Sequence, residues 1–284
     1  DVNGNGNINY LAGPDLEKSI VTNTGTLNAL GGVVNLRSDK AKNLADSVIN
    51  LNGVVNVDGM DTNVIGTTAN GSAILANAYG DINAGANLKA GQIVMKSTAG
   101  NITTANLTST NTKTLNTADN INIEATNGKV SVGSVDVLNK LETASGNADP
   151  ALATVKLKAK TGIDINGNVS VVAESPAGGK ATLIADSGET GDVITKGLVK
   201  VHALGTRIIS TTEQGGNILS TATANFIGNN ITHMGGKPDV QAFAFHDMKT
   251  ILEFLSKNSN DKTSIGYYVK DKDGKPVKGE ILFS

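Results

Sequence analysis

The chain has 284 residues, a formal net charge of −2 at pH 7, 33 glycines, 5 prolines, no cysteine, no tryptophan and only 3% aromatics. Disulfides and thiolate metal sites are excluded, and the two arginines, Arg37 and Arg207, with no clustered basic stretch, exclude a nucleic-acid face. No apolar run reaches the ~18–20 residues that span a membrane, so no membrane insertion is expected. Apolar volume comes from Val, Ile, Leu and Ala, which suits a narrow, repetitive core better than a wide one filled by aromatics.

The chain begins at Asp1 without Met, and reads as a processed or excised piece. Its lack of cysteine is compatible with export. In chain order, Asn7 to Leu11, Ser19 to Val21 and Thr26 to Leu30 read as short strands between Gly/Asn turns. Gly32 to Leu36 is a clear strand. Lys40 to Ala45 reads as a loop or a single helical turn, and Ser47 to Leu51 and Gly53 to Val57 resume the strand pattern.

From about 70 to 223 one phrase dominates. A glycine or asparagine, usually with a polar residue after it, runs into a β-branched or apolar strand. The clearest copies are Gly80-Asp81-Ile82, Gly91-Gln92-Ile93 and Gly100-Asn101-Ile102. Longer intervals, such as Gly80 to Gly100, Gly100 to Asn120, Gly162 to Gly179 and Gly197 to Gly216, cluster near 17–20 residues. A period of this size built from short strands predicts a parallel β-helix. Alternation places Ile121 and Ile123, Val130 and Val132, Val155 and Leu157, Ile163 and Ile165, and Val169 and Val171 inside. Glycine at each corner serves φ > 0 or close approach of the coil above. At ~20 residues per coil, residues 1–230 make roughly eleven coils and an axis of ~50 Å. An inserted loop is expected near 136–151, with a short helix from Asp136 to Leu141, and a smaller loop at Glu174 to Gly179.

After about 226 the composition changes. Seven of the nine aromatics lie there: Phe226, Phe243, Phe245, Phe254, Tyr267, Tyr268 and Phe283. Met248, Ile251, Leu252 and Leu255 share one helical face in a helix over Phe245 to Lys257. Ser264 to Lys270 and Pro276 to Phe283 read as strands joined by Asp273-Gly274, a hairpin signal. The expected organisation is an all-β chain: a right-handed parallel β-helix over 1–230, then a small α+β cap or interaction unit, helix plus hairpin, over 231–284. A cap would cover the apolar face and unpaired edge of the last coil.

Two runs carry a resemblance. Gly25-Thr26-Leu27-Asn28-Ala29-Leu30-Gly31-Gly32-Val33-Val34-Asn35-Leu36 is followed by Ser47-Val48-Ile49-Asn50-Leu51-Asn52-Gly53-Val54-Val55-Asn56-Val57. This layout resembles the amino-terminal secretion region of filamentous-haemagglutinin-type exoproteins of bacterial two-partner secretion. The later Gly-Asn-Ile and Gly-Asp-Ile phrases resemble that family's shaft. The family's NPNL and NPNGI motifs are absent: either the chain begins after them or it belongs to another β-solenoid family. The resemblance spans 1 to about 230 and implies an exported right-handed β-helix used in adhesion, aggregation or toxin presentation.

Residue chemistry points away from catalysis. His202, His233 and His246 have no HxH or HExxH spacing, and no GxSxG elbow occurs. Asp1, Asn3 and Asn5, with Gly6, match the first half of a calcium loop, but position twelve is Ala12 where a closing carboxylate belongs. A Gly/Asn turn entering the first strand explains the same residues. Asp81, Glu124, Asp164 and Asp192 are scattered over different coils rather than clustered as in sugar-cleaving β-helices. Five N-x-S/T sequons start at Asn70, Asn101, Asn106, Asn168 and Asn230.

The expectation is therefore a secreted or cell-surface bacterial β-helix that is not an enzyme and takes no cofactor. It would act in adhesion or aggregation by presenting repetitive polar faces to a surface receptor or glycan on a host or bacterial cell. The alternative is a subunit that polymerises with copies of itself, end to end or by strand addition through Tyr267, Tyr268, Ile281, Leu282 and Phe283. A third reading is a polysaccharide-processing β-helix.

Overall fold

The computed structural model describes residues 8–12, 19–28, 32–38, 47–51, 55–56, 73–111, 120–140, 151–175, 178–205, 220–245, 265–270 and 276–281. Among them there is no helix, and the strands stack as a parallel β-helix. Each coil contributes one strand to each of three sheets. Coil 1 is β1 (Ile8–Ala12), β2 (Ser19–Asn23) and β3 (Leu27–Asn28); coil 2 is β4 (Val33–Ser38), β5 (Ser47–Leu51) and β6 (Val55–Asn56). Coil 3 is β7 (Ala73–Ala78), β8 (Ile82–Ala84) and β9 (Leu88–Lys89); coil 4 is β10 (Gln92–Ser97), β11 (Ile102–Thr104) and β12 (Leu107–Asn111). Coil 5 is β13 (Ile121–Ala125), β14 (Val130–Val132) and β15 (Val135–Lys140); coil 6 is β16 (Ala151–Ala159), β17 (Gly162–Ile165) and β18 (Val169–Ser175). Coil 7 is β19 (Gly179–Asp186), β20 (Asp192–Thr195) and β21 (Val199–Gly205); coil 8 is β22 (Thr221–Ile227), β23 (Ile231–His233) and β24 (Asp239–Phe245).

The first and second sheets have eight strands each. The third continues for two more: β25 (Ile265–Lys270) pairs parallel with β24, and β26 (Pro276–Ile281) pairs antiparallel with β25. The antiparallel pair is the hairpin expected from sequence, although the Asp273-Gly274 turn lies outside the described residues. Parallel stacking also runs past residue 230, because Asp239–Phe245 lies on β21 in register.

Alternation along each strand explains the core. Ile121, Ile123, Val130, Val132, Val155, Leu157, Ile163, Ile165, Val169 and Val171 are all buried, as the sequence predicts. Register holds them in rows along the axis. In the first sheet one row runs Val34, Ile74, Ile93, Ile121, Val155 and Leu183. A one-residue slip would turn a whole row outward, and each buried Ile, Leu or Val stabilises by about 1.5–3 kcal/mol, so the register is strongly specified.

Coil length departs from the expected 17–20 residues. Ile74 to Ile93 is 19 residues, but Ile121 to Val155 is 34 and Leu183 to Ala224 is 41. Each eight-stranded sheet therefore counts eight coils, not eleven. The extra residues gather largely at the corner between the third sheet and the next coil's first sheet. There the connections are 57–72, 112–120, 141–150 and 206–220, whereas the corner between the second and third sheets takes 2 to 5 residues in every coil.

The helix expected at 136–141 is also corrected, since Val135–Lys140 is a strand. Val135 and Val137 face the core, and the strand pairs with β12 on one side and β18 on the other. The insertion accordingly starts later than 136. The helix expected over 245–257 lies outside the described residues, apart from Phe245, which closes β24. The turn at Lys40 to Ala45 lies outside them too.

Candidate functional site

Two corners explain the repeated phrase. At the corner entering the second sheet, Asp81 Oδ1 accepts the Asn101 backbone N–H at 2.7 Å, and Asn101 Oδ1 accepts the Lys129 N–H at 2.8 Å. Asp192 Oδ1 does the same for the Asn230 N–H at 3.1 Å and also takes the Asn230 side-chain amide at 3.0 Å. At the corner entering the third sheet, Asn106 Oδ1 accepts the Ser134 N–H and Asn168 Oδ1 the Leu198 N–H, each at 2.9 Å. The polar residue of the Gly-Asp/Asn-Ile phrase is thus an acceptor for the next coil's corner, where the strand ladder is interrupted. The glycine before it serves close approach: a Cβ on Gly100 would lie 2.3 Å from the Gly80 carbonyl carbon. Positive φ is not the reason there; among the described glycines it occurs at Gly162, Gly178, Gly188 and Gly236.

Polar residues also line inner corners. The Ser97 hydroxyl donates to the Gly80 carbonyl at 2.6 Å and accepts the Gly100 N–H at 3.0 Å. Buried Asn120 donates to Ser109 Oγ at 3.3 Å and accepts the Thr154 N–H at 2.9 Å, tying three successive coils together. Sequence reasoning passed over these residues. The signal available was a small polar residue at an inward-parity position where a strand ends.

The outer faces are rows of short polar side chains at one coil spacing. In the second sheet the polar row is Asn83, Thr103, Ser131 and Asp164, which Ile194 interrupts before Thr232. Ion pairs join neighbouring coils: Lys96 to Glu124 at 3.4 Å, Lys129 to Asp164 at 2.7 Å and Lys140 to Glu174 at 3.3 Å. The four scattered carboxylates are all engaged in this way, Glu124 and Asp164 by lysines, Asp81 and Asp192 by corner amides. Among the described residues no three His, Asp or Glu gather into a metal-holding group. Among them no helix is long and apolar enough to cross a membrane.

The four described sequon asparagines, Asn101, Asn106, Asn168 and Asn230, are all corner residues. Corner Asn, an inward Ile, Leu or Val, then an outward Ser or Thr spells a sequon for structural reasons alone. Asn70 lies outside the described residues, as do Asp1, Asn3, Asn5, Leu282, Phe283 and His246. Tyr267 and Tyr268 stand in β25 in register with Ala244 and Phe245, and Ile281 ends β26 opposite Ile265.

Coil 8 differs from the others. Ile231 and Val240, register partners of the fully buried Val193 and Val201, are 45% and 36% exposed. Among the described residues no strand pairs with the far edges of β22 and β23. Here His233 Nδ1 meets Thr195 Oγ1 at 2.7 Å, and His202 Nε2 meets Asp239 Oδ2 at 2.9 Å. Burial holds His233 below its ordinary value. Burial pushes Asp239 up, but hydrogen bonds from Gln241 and His202 and the charges of His202 and Lys200 outweigh it and hold Asp239 below the usual carboxylate range.

No family model, curated protein or solved structure matches the chain.

Proposed function

We propose that the chain is a shaft segment of a secreted or cell-surface bacterial β-helical protein of the filamentous-haemagglutinin type, acting in adhesion or aggregation. The observation that supports this reading is the continuous polar row of the second sheet, Asn83 through Asp164, carried on an apolar interior across successive coils. A flat row of amides, hydroxyls and a carboxylate offers hydrogen bonds to a glycan or a receptor surface. Each coil contributes little, and avidity grows with the number of coils engaged. The reading assigns no catalytic residue, metal or cofactor, and places the protein outside the cell.

The test is retention of labelled protein on bacterial cells, host cells and immobilised glycans. Binding that weakens when Asn83, Thr103 and Ser131 are all replaced by lysine supports the reading. No retention on any of the three surfaces overturns it.

A second reading, a subunit of an extracellular filament, is favoured by the C-terminal end. The far edges of β22 and β23 are open among the described residues, and Ile227, Ile231 and Met234 are exposed there. Electron microscopy of concentrated protein tests it: fibres support polymerisation, and a uniform population of short rods removes it.

A further inference from the structure

We propose that the joint between coils 7 and 8 is a pH-sensitive latch, in which protonation of His233 loosens the last coil from coil 7. Such a latch is independent of whether the shaft binds cells or polymerises. His233 ends β23 and stands over Thr195, its register partner in β20. The Thr195 side chain is fully buried, and its hydroxyl oxygen lies 2.7 Å from His233 Nδ1. The Phe226 ring packs edge-on against the imidazole, centroids 4.6 Å apart.

With Nδ1 unprotonated, it accepts the Thr195 O–H. In the imidazolium both ring nitrogens are donors. The Thr195 hydroxyl then loses its acceptor inside the core, and a charge stands beside an aromatic ring and an apolar layer. Both consequences fall on one contact, and that contact joins coil 8 to coil 7. In the coils below, the side-chain bonds between coils among the described residues include those of Asn, Ser, Thr, Asp, Glu and Lys, residue types that do not change charge near neutrality when unperturbed.

The charged groups around His233 are accounted for. From β20 comes Asp192, whose carboxylate is taken by Asn229 and Asn230. After it stands Lys196, which donates to Asn166 at 2.7 Å. β21 contributes Lys200 and His202, and β24 contributes Asp239, which pairs with His202. Lys237 lies in the connection from β23 to β24, and β22 carries no ionisable side chain. Among the described residues none of these forms an ion pair with His233.

The sign follows from burial. His233 sits below its ordinary value in the folded chain. Its contribution to docking is therefore present above about pH 6.5 and is lost as pH falls through the lower folded-state value. His202 pairs with Asp239 at 2.9 Å across the same joint. That pair lies on the outer face, so variants separate the two.

The test is amide exchange of the full chain between pH 7 and pH 5, corrected for intrinsic rates. Opening of β22, β23 and β24 is expected to rise on acidification, by at most about tenfold per pH unit for one proton, while β13 to β15 stay flat. His233→Asn, which keeps a neutral acceptor near Thr195, is expected to flatten the coil 8 profile, and His202→Gln to preserve it. A flat coil 8 profile in the unaltered chain overturns the latch, and so does a profile that survives His233→Asn. NMR gives a reading without substitution: the His233 ring and the coil 8 amides are expected to titrate together, and amides that stay unmoved while the ring titrates also overturn it.

Discussion

At Gly100 a single hydrogen stands where a Cβ would fall 2.3 Å from one backbone carbon and 2.4 Å from the Asp81 nitrogen. Neither atom belongs to a flexible side chain, so the stack must spread to admit a methyl group. Gly100→Ala is expected to destabilise by about 1–3 kcal/mol, the usual cost of overpacking a filled site, read as a lower urea midpoint. Gly25, with nothing within 4 Å of a built Cβ, is the contrast: Gly25→Ala should stay within about 0.5 kcal/mol. The next residue can be tested separately. Asn101→Ala removes the acceptor of the Lys129 N–H and is expected to cost about 0.5–1.5 kcal/mol. Asn101→Asp keeps the acceptor, as Asp81 and Asp192 do at their own corners, and should retain most of the stability. Equal losses in the two variants would mean that the amide acts through something other than its oxygen.

Along a strand the period of two is local, so the inward residues from Ile121 to Val171 are legible from sequence alone. Pairing partners are not local, and this explains the coil-length error. The distance between stacked Gly phrases equals one coil where the corner is short, as in Gly80 to Gly100. It fails where a long connection such as 141–150 or 206–220 intervenes. Val135–Lys140 misled for a related reason. Leu138 breaks strict alternation on the outer face, and only the pairing with β12 and β18 shows that the segment is strand. The acceptor role of the corner Asn was equally hidden, because its donor lies a full coil away in sequence, 28 residues on for Asn101 and Lys129. The burial that register creates can be measured. Leu157→Ala removes a side chain that is 1% exposed in the middle of the stack and is expected to cost about 2–5 kcal/mol. Leu198→Ser, at a corner position 65% exposed, should stay within about 0.5 kcal/mol. A large loss at Leu198 would show that the chain covers this corner in solution.

A β-helix is close to one-dimensional: each coil touches only the coils above and below, and stability accumulates through those interfaces. Coils 5 and 6 have a neighbour on both sides, with their inward Ile, Val and Leu residues buried. Coil 8 keeps its ladder to coil 7, yet Ile231, Met234 and Val240 remain exposed and two of its strands have open far edges among the described residues. Opening coil 8 therefore breaks one interface, while opening coil 5 breaks two or requires the end to unravel first. Amide exchange at constant neutral pH should be graded, slowest in β13 to β18 and fastest in β22 to β24. The gradient should also be asymmetric within coil 8, because β24 is sandwiched between β21 and β25 whereas β22 and β23 are not. Slower exchange in β24 than in β22 is expected. Uniform protection across all eight coils would contradict the one-dimensional account and point to a single cooperative unit instead.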